Sequence, residues 1–348
     1  MKDIRTYPIH EIPQIIANLG EPKFRAKQLT KWLYQAGAES YDEMTNLPAK
    51  LRASLTENYP LARTNVVDKQ VSKDGTRKYV LELSDGVRVE TVGIPVFRSN
   101  PGETKHLTVC FSTQAGCAME CAFCATGHEG LTRNLSAGEM VLQVLTVQKD
   151  FDARVTNVVS MGQGEPFQNY DATLEAIRFM NAKEGLGIGA RHITLSTCGV
   201  LQGIQRLSNE PEQFTLAVSL HSARQNVRND LMPRCKNLPL DALKADLLQY
   251  VEKTGRRVSL EYLLIKDVND TQKDLDALIE FTQGLLCHVN IIPMNAVSNS
   301  PFQPSTAANQ KYWAEQLNAA HKETTIRNSR GSDIDGACGQ LKNKLKNQ

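Results

Sequence analysis

Residues 107–124 read LTVCFSTQAGCAMECAFC, an apolar segment followed closely by three cysteines. The apolar run 107–111 has the length of a buried strand, and an amphipathic helical pattern follows over 136–151. This order of strand, loop and helix recurs, so that six such units occupy the chain from residue 107 onward. The apolar segments lie at 107–111, 155–161, 191–196, 215–220, 257–265 and 288–293, and the helical segments at 136–151, 171–181, 199–208, 239–254, 271–286 and 305–322.

Six units of this kind predict an α/β fold, because strands that alternate with helices pair in parallel and are covered by those helices. A closed TIM barrel needs eight strands. We therefore expect a partial (β/α)6 TIM-like barrel, with a doubly wound sheet as the alternative, since strand order cannot be read from one sequence. In both architectures, ligands bind at the carboxyl ends of the strands.

The chain before residue 107 is organised differently. Short helical patterns give way near residue 65 to segments of alternating apolar and polar residues, which predict an antiparallel ribbon. We expect a small N-terminal helical domain over 1–65, a short β-ribbon linker region over 66–100, and the main domain over 101–348. The predicted helices lie at 12–19, 25–36, 41–44 and 49–58, the strands at 65–70, 78–83 and 87–92, the turns at 73–75 and 84–86, and the linker at 98–105.

Composition narrows the class of protein. The 348 residues are 41% hydrophobic, which is enough for a sizeable core, and the formal net charge of +2 argues against broad, non-specific nucleic-acid binding. No signal peptide and no run of eighteen apolar residues is present, so we expect a cytoplasmic protein without a membrane segment. In that compartment the eight cysteines are expected to be ligands, nucleophiles or small buried residues rather than stable disulfides.

Cys117, Cys121 and Cys124 follow the first barrel strand at spacings of four and three residues. Three thiolates so close together can hold one inorganic centre. A structural zinc site would need a fourth ligand, for which His128 is available, and a ferredoxin would supply a fourth cysteine. Three cysteines on a [4Fe–4S] cluster would leave one iron open to a substrate. Three buried structural cysteines are the remaining alternative.

Polar residues also follow the other predicted strands. The second strand ends in MGQGEP, where glycines allow close approach of a ligand and Glu165 can accept a hydrogen bond from an ammonium group. For each such residue a turn or capping role is an alternative, but their common position at one rim favours ligand binding. The candidate cofactor-binding residues are Gly164, Glu165, Ser196, Ser219, Leu220, His221 and Asn295.

Two further cysteines are candidates for covalent chemistry. Cys110 lies on the first strand, and Cys338 lies in a glycine-rich segment, RGSDIDGACGQL (330–341). A cysteine flanked by glycines near an open rim is a candidate nucleophile. Spacing alone leaves an inert, buried thiol as an equal alternative.

The C-x3-C-x2-C pattern with Phe123 before its last cysteine resembles the radical-SAM signature, and GQGEP resembles the GGEP-type element that meets the amino group of S-adenosylmethionine. Nearly end to end, the chain resembles the RlmN/Cfr family of radical-SAM RNA methyltransferases. The similar segments are RAKQLTKWLY (25–34), RVETVGIP (88–95), CFSTQAGCAMECAFCATGHEGLTRNL (110–135), MGQGEP (161–166), SLHSA (219–223), VND (268–270), IIPMN (291–295) and RGSDIDGACGQL (330–341).

This resemblance implies a methylation that uses a [4Fe–4S] cluster on Cys117, Cys121 and Cys124, and two molecules of S-adenosylmethionine per turnover. One methylates Cys338, and the other gives a radical that takes a hydrogen atom from the S-methyl group. The carbon radical adds to C2 of an adenine, Glu90 accepts a proton, and Cys110 resolves the adduct with a transient Cys110–Cys338 disulfide.

The implied substrates are an adenine of the peptidyl-transferase region of 23S rRNA and the tRNA adenine next to the anticodon. The N-terminal domain would recognise RNA. A flavodoxin or ferredoxin would donate electrons, and we expect a monomer. Rival interpretations are methylation at C8, which gives antibiotic resistance, a radical-SAM enzyme acting on a protein or small molecule, and a zinc-stabilised RNA-binding protein.

Three departures from the family pattern bear on whether carbon C2 or carbon C8 of adenine is methylated. Gln163 stands where many relatives carry methionine, and residues 234–239 (RCKNLP) lack the usual Ile-Asn pair. Ser222 is alanine in several C2-methylating relatives and serine in the C8 branch. The sequence therefore favours C2 through the overall resemblance and not through these positions.

Overall fold

The computed structural model describes residues 2–61, 65–98, 104–295 and 301–342, so most of the predicted linker at 98–105 lies outside the described residues. The helices in these ranges are α1 Ile12–Asn18, α2 Phe24–Tyr34, α3 Ala49–Asn58, α4 Ala137–Phe151, α5 Tyr170–Asn181, α6 Leu201–Leu207, α7 Gln225–Leu231, α8 Leu240–Thr254, α9 Gln272–Thr282 and α10 Ala307–Ala319. The strands are β1 Asn65–Val71, β2 Arg77–Glu82, β3 Arg88–Phe97, β4 Thr104–Cys110, β5 Gln114–Gly116, β6 Leu131–Asn134, β7 Asn157–Ser160, β8 Ile193–Thr197, β9 Thr215–Ser219, β10 Val258–Leu264, β11 Cys287–Pro293 and β12 Thr324–Ile326.

The order of the strands decides between the two predicted architectures. From β4 the sheet continues as β7, β8, β9, β10, β11 and β12, and each neighbouring pair is parallel. Strands that follow one another in both chain and sheet form a barrel wall, whereas a doubly wound sheet reverses its order at a switch point. Within the described residues no pairing closes the sheet. The prediction of an open, partial barrel is confirmed, with β12 as a seventh parallel strand.

The predicted ribbon extends this sheet. Strands β1, β2 and β3 pair antiparallel, and β3 pairs antiparallel with β4, where Val92 lies opposite Cys110. Gly75 and Gly86 occupy the two predicted hairpin turns with φ values of +85° and +81°, which glycine adopts without strain. Strands β1 to β3 are therefore joined to the barrel by hydrogen bonds, and the inner face of β3 continues the inner face of β4.

Helix α2 packs beside α4, and its last residue, Tyr34, lies edge-on to Phe179 of α5 with ring centroids 5.3 Å apart. Ile12, Ile16, Leu29, Leu33 and Leu55 are buried in the same hydrophobic cluster as the barrel. The hydroxyl of Ser136 also donates to the Arg5 carbonyl at 2.8 Å. These contacts join the helical domain to the edge of the main domain.

Ser136 begins α4 as the sequence predicts. Its hydroxyl accepts from the Glu139 N–H at 3.2 Å, and the Glu139 carboxylate accepts from the Ser136 N–H at 2.8 Å. Both bonds satisfy backbone N–H groups that would otherwise lack a hydrogen-bond partner at the start of the helix. Since α4 follows the cysteine loop, this cap fixes where that loop returns to the barrel.

One helix and three strands were not predicted. Helix α7 and strand β12 have only seven and three residues, too few for a periodic pattern. Strands β5 and β6 pair across the cysteine loop, which a local pattern cannot reveal. A search of the described residues finds no helix with the length and apolar character of a membrane span.

Candidate active site

A cavity of about 990 Å³, which we call the cluster cavity, opens at the carboxyl ends of the barrel strands. It gathers side chains that follow β4, β7, β8, β9 and β11, as expected when parallel strands end at one rim. Among the predicted site residues that line it are Cys117, Cys121, Cys124, Gly164, Glu165, Ser196, Ser219, His221, Asn295 and Cys338.

The loop with Cys117, Cys121 and Cys124 is clamped by the β5–β6 pair. The Cys117 N–H donates to the Gly130 carbonyl at 2.9 Å, and a Cβ on Gly116 would lie 2.0 Å from the same oxygen. Only glycine permits this close crossing. The three thiols are therefore presented from one rigid loop.

All eight cysteines are free. Burial raises the pKa of the Cys117, Cys121 and Cys124 thiols, which iron would offset because metal binding takes the deprotonated form. Within the described residues no three His, Cys, Asp or Glu side chains converge on one metal ion, His128 included. The three thiols line the same cavity, and cysteine thiolates are the ligands that hold iron–sulfur clusters.

Two glycines bring residues 161–166 against the cysteine loop. A Cβ on Gly162 would lie 2.7 Å from the Phe111 carbonyl oxygen, and one on Gly164, whose φ is +102°, would lie 2.8 Å from the Gln114 nitrogen. Both contacts are with backbone atoms, which cannot move away by a change of side-chain rotamer. The backbone N–H of Gly164 lies close enough to the Cys117 thiol to oppose the rise of its pKa.

Glu165 forms a buried wall of the cluster cavity. Its carboxylate accepts from the Cys198 N–H at 2.8 Å and the Phe167 N–H at 3.0 Å. Burial raises the pKa of Glu165, and these hydrogen bonds oppose that shift. No cation is paired with this carboxylate within the described residues. An ammonium group bound in the cavity would supply one.

His221 lies at the opposite wall in a defined tautomer. Its Nδ1 accepts from the Leu263 N–H at 3.0 Å, so the neutral ring carries its proton on Nε2, and burial lowers its pKa to about 3. Phe123 packs edge-on against the ring with centroids 4.7 Å apart. Asn269 donates to the His221 carbonyl at 2.6 Å and fixes the left-handed backbone there, with φ of +54°. The aromatic residue of the cysteine motif therefore orients a ring at the ligand site.

Ser196, Ser219 and Asn295 border the same cavity, as predicted. Leu220 does not. Its side chain is fully buried in the main hydrophobic cluster, because successive residues of a strand point to opposite faces and its neighbours face the rim. The Leu220 side chain therefore does not reach the cavity, which leaves only its backbone to meet a ligand, and its role in cofactor binding stays a prediction.

A second cavity of about 800 Å³, which we call the relay cavity, adjoins the first. Cys110 and Cys338 both line it, and Cys338 lines the cluster cavity as well. The Asn295 amide donates to the Cys338 carbonyl at 3.3 Å. The structure thus brings together two cysteines from opposite ends of the main domain and leaves Cys338 in contact with both spaces.

The loop that carries Cys338 is held at both ends. At its start, the Gly331 N–H donates to Asp74 at 3.1 Å, and the Ser72 hydroxyl lies 2.6 Å from the Asp333 carboxylate. At its end, the Thr126 hydroxyl donates to the Leu341 carbonyl at 2.7 Å. The ribbon turn and the cysteine loop therefore position this segment jointly.

Cys110 and Glu90 lie on the inner face of the sheet. Burial raises the pKa of the Cys110 thiol to about 12. Glu90 is two residues from Val92, the partner of Cys110, and therefore shares its face. Glu90 is almost fully buried and lines neither cavity within the described residues.

Comparison with known proteins identifies this arrangement. Residues 4–60 match the Ribosomal RNA large subunit methyltransferase N-terminal domain, and residues 111–281 match the Radical SAM superfamily. Proteins named "Probable dual-specificity RNA methyltransferase RlmN" from Alkaliphilus oremlandii and Clostridium novyi are 43% and 39% identical, each alignment covering 98% of both chains. The chain belongs to the RlmN family.

A solved radical SAM methyltransferase from Sphaerobacter thermophilus is similar to this RlmN-family chain over its whole length. Its sequence is 42% identical, the TM-score is 0.90, and the match covers 98% of this chain and 99% of the other. The radical-SAM fold is thereby shown, and with it the use of a [4Fe–4S] cluster and S-adenosylmethionine.

Two charged residues of the RlmN-family site were not predicted. Arg327 borders both cavities, and its guanidinium group lies 3.6 Å from the Met161 sulfur. Glu261 faces the cluster cavity and accepts from the Asn290 amide at 2.7 Å. Neither charged residue belongs to a recognisable motif. The one signal in the sequence is a charged residue within an apolar strand segment for Glu261 and one directly after a short strand for Arg327.

Proposed function

We propose that this chain methylates C2 of adenine in RNA, in the peptidyl-transferase region of 23S rRNA and next to the tRNA anticodon. Two relatives that align end to end are named dual-specificity RNA methyltransferases. The observation that carries the proposal is the position of Cys338, which lines both the cluster cavity and the relay cavity with Cys110. A methyl group carried on Cys338 would face a radical source on one side and a second thiol on the other.

Cys117, Cys121 and Cys124 would hold the cluster. When bound, the cluster and S-adenosylmethionine would supply one-electron chemistry: a carbon-centred radical able to remove a hydrogen atom, and an acceptor for the electron that the RNA adduct releases. Glu165 would accept a hydrogen bond from the amino group of S-adenosylmethionine, which explains a buried carboxylate without a cation. Gly164 gives the backbone its close approach, and Ser196 and Ser219 offer hydroxyls to the ribose and adenine.

Two other side chains of the rim have narrower roles. His221 presents the Nε2–H edge of a neutral ring to the cluster cavity, suited to an acceptor atom of the bound nucleoside. The Asn295 amide contacts the Cys338 carbonyl, and it would hold the loop that carries Cys338 (residues 330–341), which we call the relay loop, beside S-adenosylmethionine.

Cys338 would carry the methyl group. In a first displacement its sulfur takes the methyl group of S-adenosylmethionine, and S-adenosylhomocysteine leaves. After a hydrogen atom is removed, the S-bound carbon forms a bond to C2 of adenine. The C2 carbon of an amidine is not nucleophilic, so a radical and a covalent carrier divide a step that direct displacement could not perform.

Glu90 and Cys110 would finish the reaction. The adduct gives up one electron and the C2 proton, and Glu90 is the proposed proton acceptor. The Cys110 thiolate then attacks the Cys338 sulfur, the sulfur–methylene bond breaks, and the carbon takes a proton to become the methyl group. The disulfide that remains needs two electrons from a dithiol before the next turnover.

Cysteine variants test this relay. We expect Cys338→Ala to abolish methyl transfer and Cys110→Ala to accumulate a covalent protein–RNA adduct. Cys287→Ala is the matched control, because this buried cysteine on β11 lines neither cavity. Anaerobically purified protein should contain iron and sulfide. A colourless, zinc-loaded protein, or active enzyme whose Cys338 peptide is never methylated, would refute the proposal.

A serine at position 222 is found in the C8-methylating branch, but in this structure Ser222 is weak evidence for C8 methylation. Its hydroxyl accepts from the Arg224 N–H at 3.1 Å and lies 3.2 Å from the Arg224 carbonyl, and the fully buried side chain lines neither cavity. It stabilises a turn. C2 is therefore our proposal. Mapping the methyl group on rRNA and tRNA from cells that lack their own enzyme distinguishes C2 from C8.

We further propose that the N-terminal domain recognises RNA, since its helix α2 is locally basic and exposes Phe24 under the Arg25 guanidinium group. The protein would be a cytoplasmic monomer, in keeping with its free cysteines, and a flavodoxin or ferredoxin would reduce it. Sedimentation of the RNA-free protein and reduction by each donor test these points.

A further inference from the structure

Lys78 on β2 and Glu90 on β3 form a buried ion pair outside both cavities. Their side chains are 3% and 1% exposed, and the Lys78 Nζ lies 3.5 Å from Glu90 Oε1. Lys78 is registered with Val92, Glu90 with Val80, and Val92 with Cys110. Because side chains of directly opposed residues share one face, Lys78, Glu90 and Cys110 all point to the inner side of the sheet.

Lys78 also contacts the loop that carries Cys338. Its Nζ donates to the Asp335 carbonyl at 3.4 Å, three residues before the cysteine. The ribbon turn beside β2 holds the start of the same loop through Ser72 and Asp74. One ammonium group therefore contacts both the candidate proton acceptor and the methyl-carrying segment.

Packing alone does not account for this pair. A buried ion pair loses hydration on both partners, and well-packed apolar residues in its place are often neutral or stabilising. Glu90 Oε2 is moreover buried without a hydrogen-bond partner in the described part of the chain. An unsatisfied carboxylate oxygen of this kind costs stability, and it is free to accept a proton.

The charged and polar groups that face the Glu90 carboxylate come from three elements. Lys78 faces it from β2, Glu129 from the turn before β6, and the backbone N–H of Lys342 from the end of the relay loop. Burial raises the pKa of Glu90 to about 7, the Lys78 ammonium group opposes the rise, and Glu129 adds to it. Lys78 is the one side-chain cation among these groups.

We propose that Lys78 is a positioning residue of the methyl transfer: its ammonium group favours the ionised form of the Glu90 carboxylate and holds it beside the Cys338 loop. The inference rests on the proposed function, in which Glu90 accepts the C2 proton. Without Lys78 the carboxylate would be protonated at neutral pH, and the adduct would form but would lose its C2 proton slowly.

The test uses the holoenzyme with RNA and compares Lys78→Met with Lys78→Arg from pH 6 to pH 9. Methylation by the wild type should rise with a midpoint near 7. In Lys78→Met we expect the midpoint to move up by one unit or more, so that the rate falls at least about fivefold at pH 7 and recovers toward pH 9. Lys78→Arg should restore the wild-type midpoint. Methylation of Cys338, measured by peptide mass spectrometry, should be unchanged in both variants.

A Lys78→Met profile that is lowered equally at every pH, or left unchanged, overturns the inference. If Lys78→Met does not fold, Lys78→Gln provides the same comparison, and Lys78→Met/Glu90→Gln removes both charges and should regain stability without regaining methylation. The variant Glu90→Gln distinguishes a failure of the proposed role of Glu90 from a failure of the inference about Lys78. If it methylates RNA at the wild-type rate, the proposed role of Glu90 fails. If it is slow while Lys78→Met shows no pH shift, only the inference about Lys78 fails.

Discussion

Gly164→Ala is expected to disable the site through a steric conflict with the backbone. The new Cβ would lie 2.6 Å from the Gln114 Cβ and 2.8 Å from the Gln114 nitrogen. Ordinary contacts begin near 3.4 Å, so the segment from Gly162 to Glu165 must move away from the cysteine loop. That movement would separate the Gly164 N–H from the Cys117 thiol and displace the Glu165 carboxylate.

Two costs add for this variant. An alanine at φ +102° stores about 1–3 kcal/mol of backbone strain. The overpacked contact costs about 1–3 kcal/mol more. A shift approaching 1 Å at a reacting site lowers rates about 100-fold. We therefore expect about 2–6 kcal/mol of lost stability and a roughly 100-fold slower formation of 5′-deoxyadenosine.

Urea unfolding and anaerobic cleavage of S-adenosylmethionine after chemical reduction measure the two effects. Gly86→Ala is the matched control, because Gly86 also has a positive φ of +81° but its Cβ would meet no atom within 4 Å. The control should lose only the strain component and keep wild-type cleavage. If Gly164→Ala equals Gly86→Ala in both measurements, the steric reasoning is wrong.

Three further outcomes follow from other parts of the molecule. Ser136→Ala should cost about 1–2 kcal/mol in urea unfolding, since it removes the α4 cap, and leave cleavage of S-adenosylmethionine unchanged; a loss near zero would contradict the cap's role. Burial raises the pKa of Asp150, but hydrogen bonds from Lys69, Tyr79 and Arg77 outweigh it and lower the pKa to about 2, so this stabilisation is complete above pH 4 and lost as the pH falls toward 2. Asp150→Asn should therefore flatten the stability of the protein between pH 4 and pH 2, and an unchanged slope would contradict the assignment. In reconstituted holoenzyme, iodoacetamide should modify half-exposed Cys338 at least about tenfold faster than buried Cys110, Cys198, Cys235 and Cys287, as read from peptide masses, and equal rates would place Cys338 differently.

Local chemistry made most elements of the fold predictable. The capping box at Ser136, the glycines of both ribbon turns and the apolar strand segments each act over a few residues, and the structure confirms them. The order of the strands in the sheet was not predictable, because pairing joins segments far apart in the chain. Strand β12 and the β5–β6 clamp escaped prediction for the same reason, since their short segments gain stability only from partners.

The same distinction between local and long-range features applies to the candidate site. The spacing of Cys117, Cys121 and Cys124 and the glycines before Glu165 are properties of consecutive residues, so the sequence alone indicated a cluster site and its ligand pocket. Leu220 faces the core because strand alternation turned it away from the rim. Only the tertiary structure put Cys338 between two cavities, added Arg327 and Glu261, and buried Lys78 against Glu90. These contacts depend on the relay loop crossing the sheet, and their energies come from burial and charge at close range, which no local pattern of residues encodes.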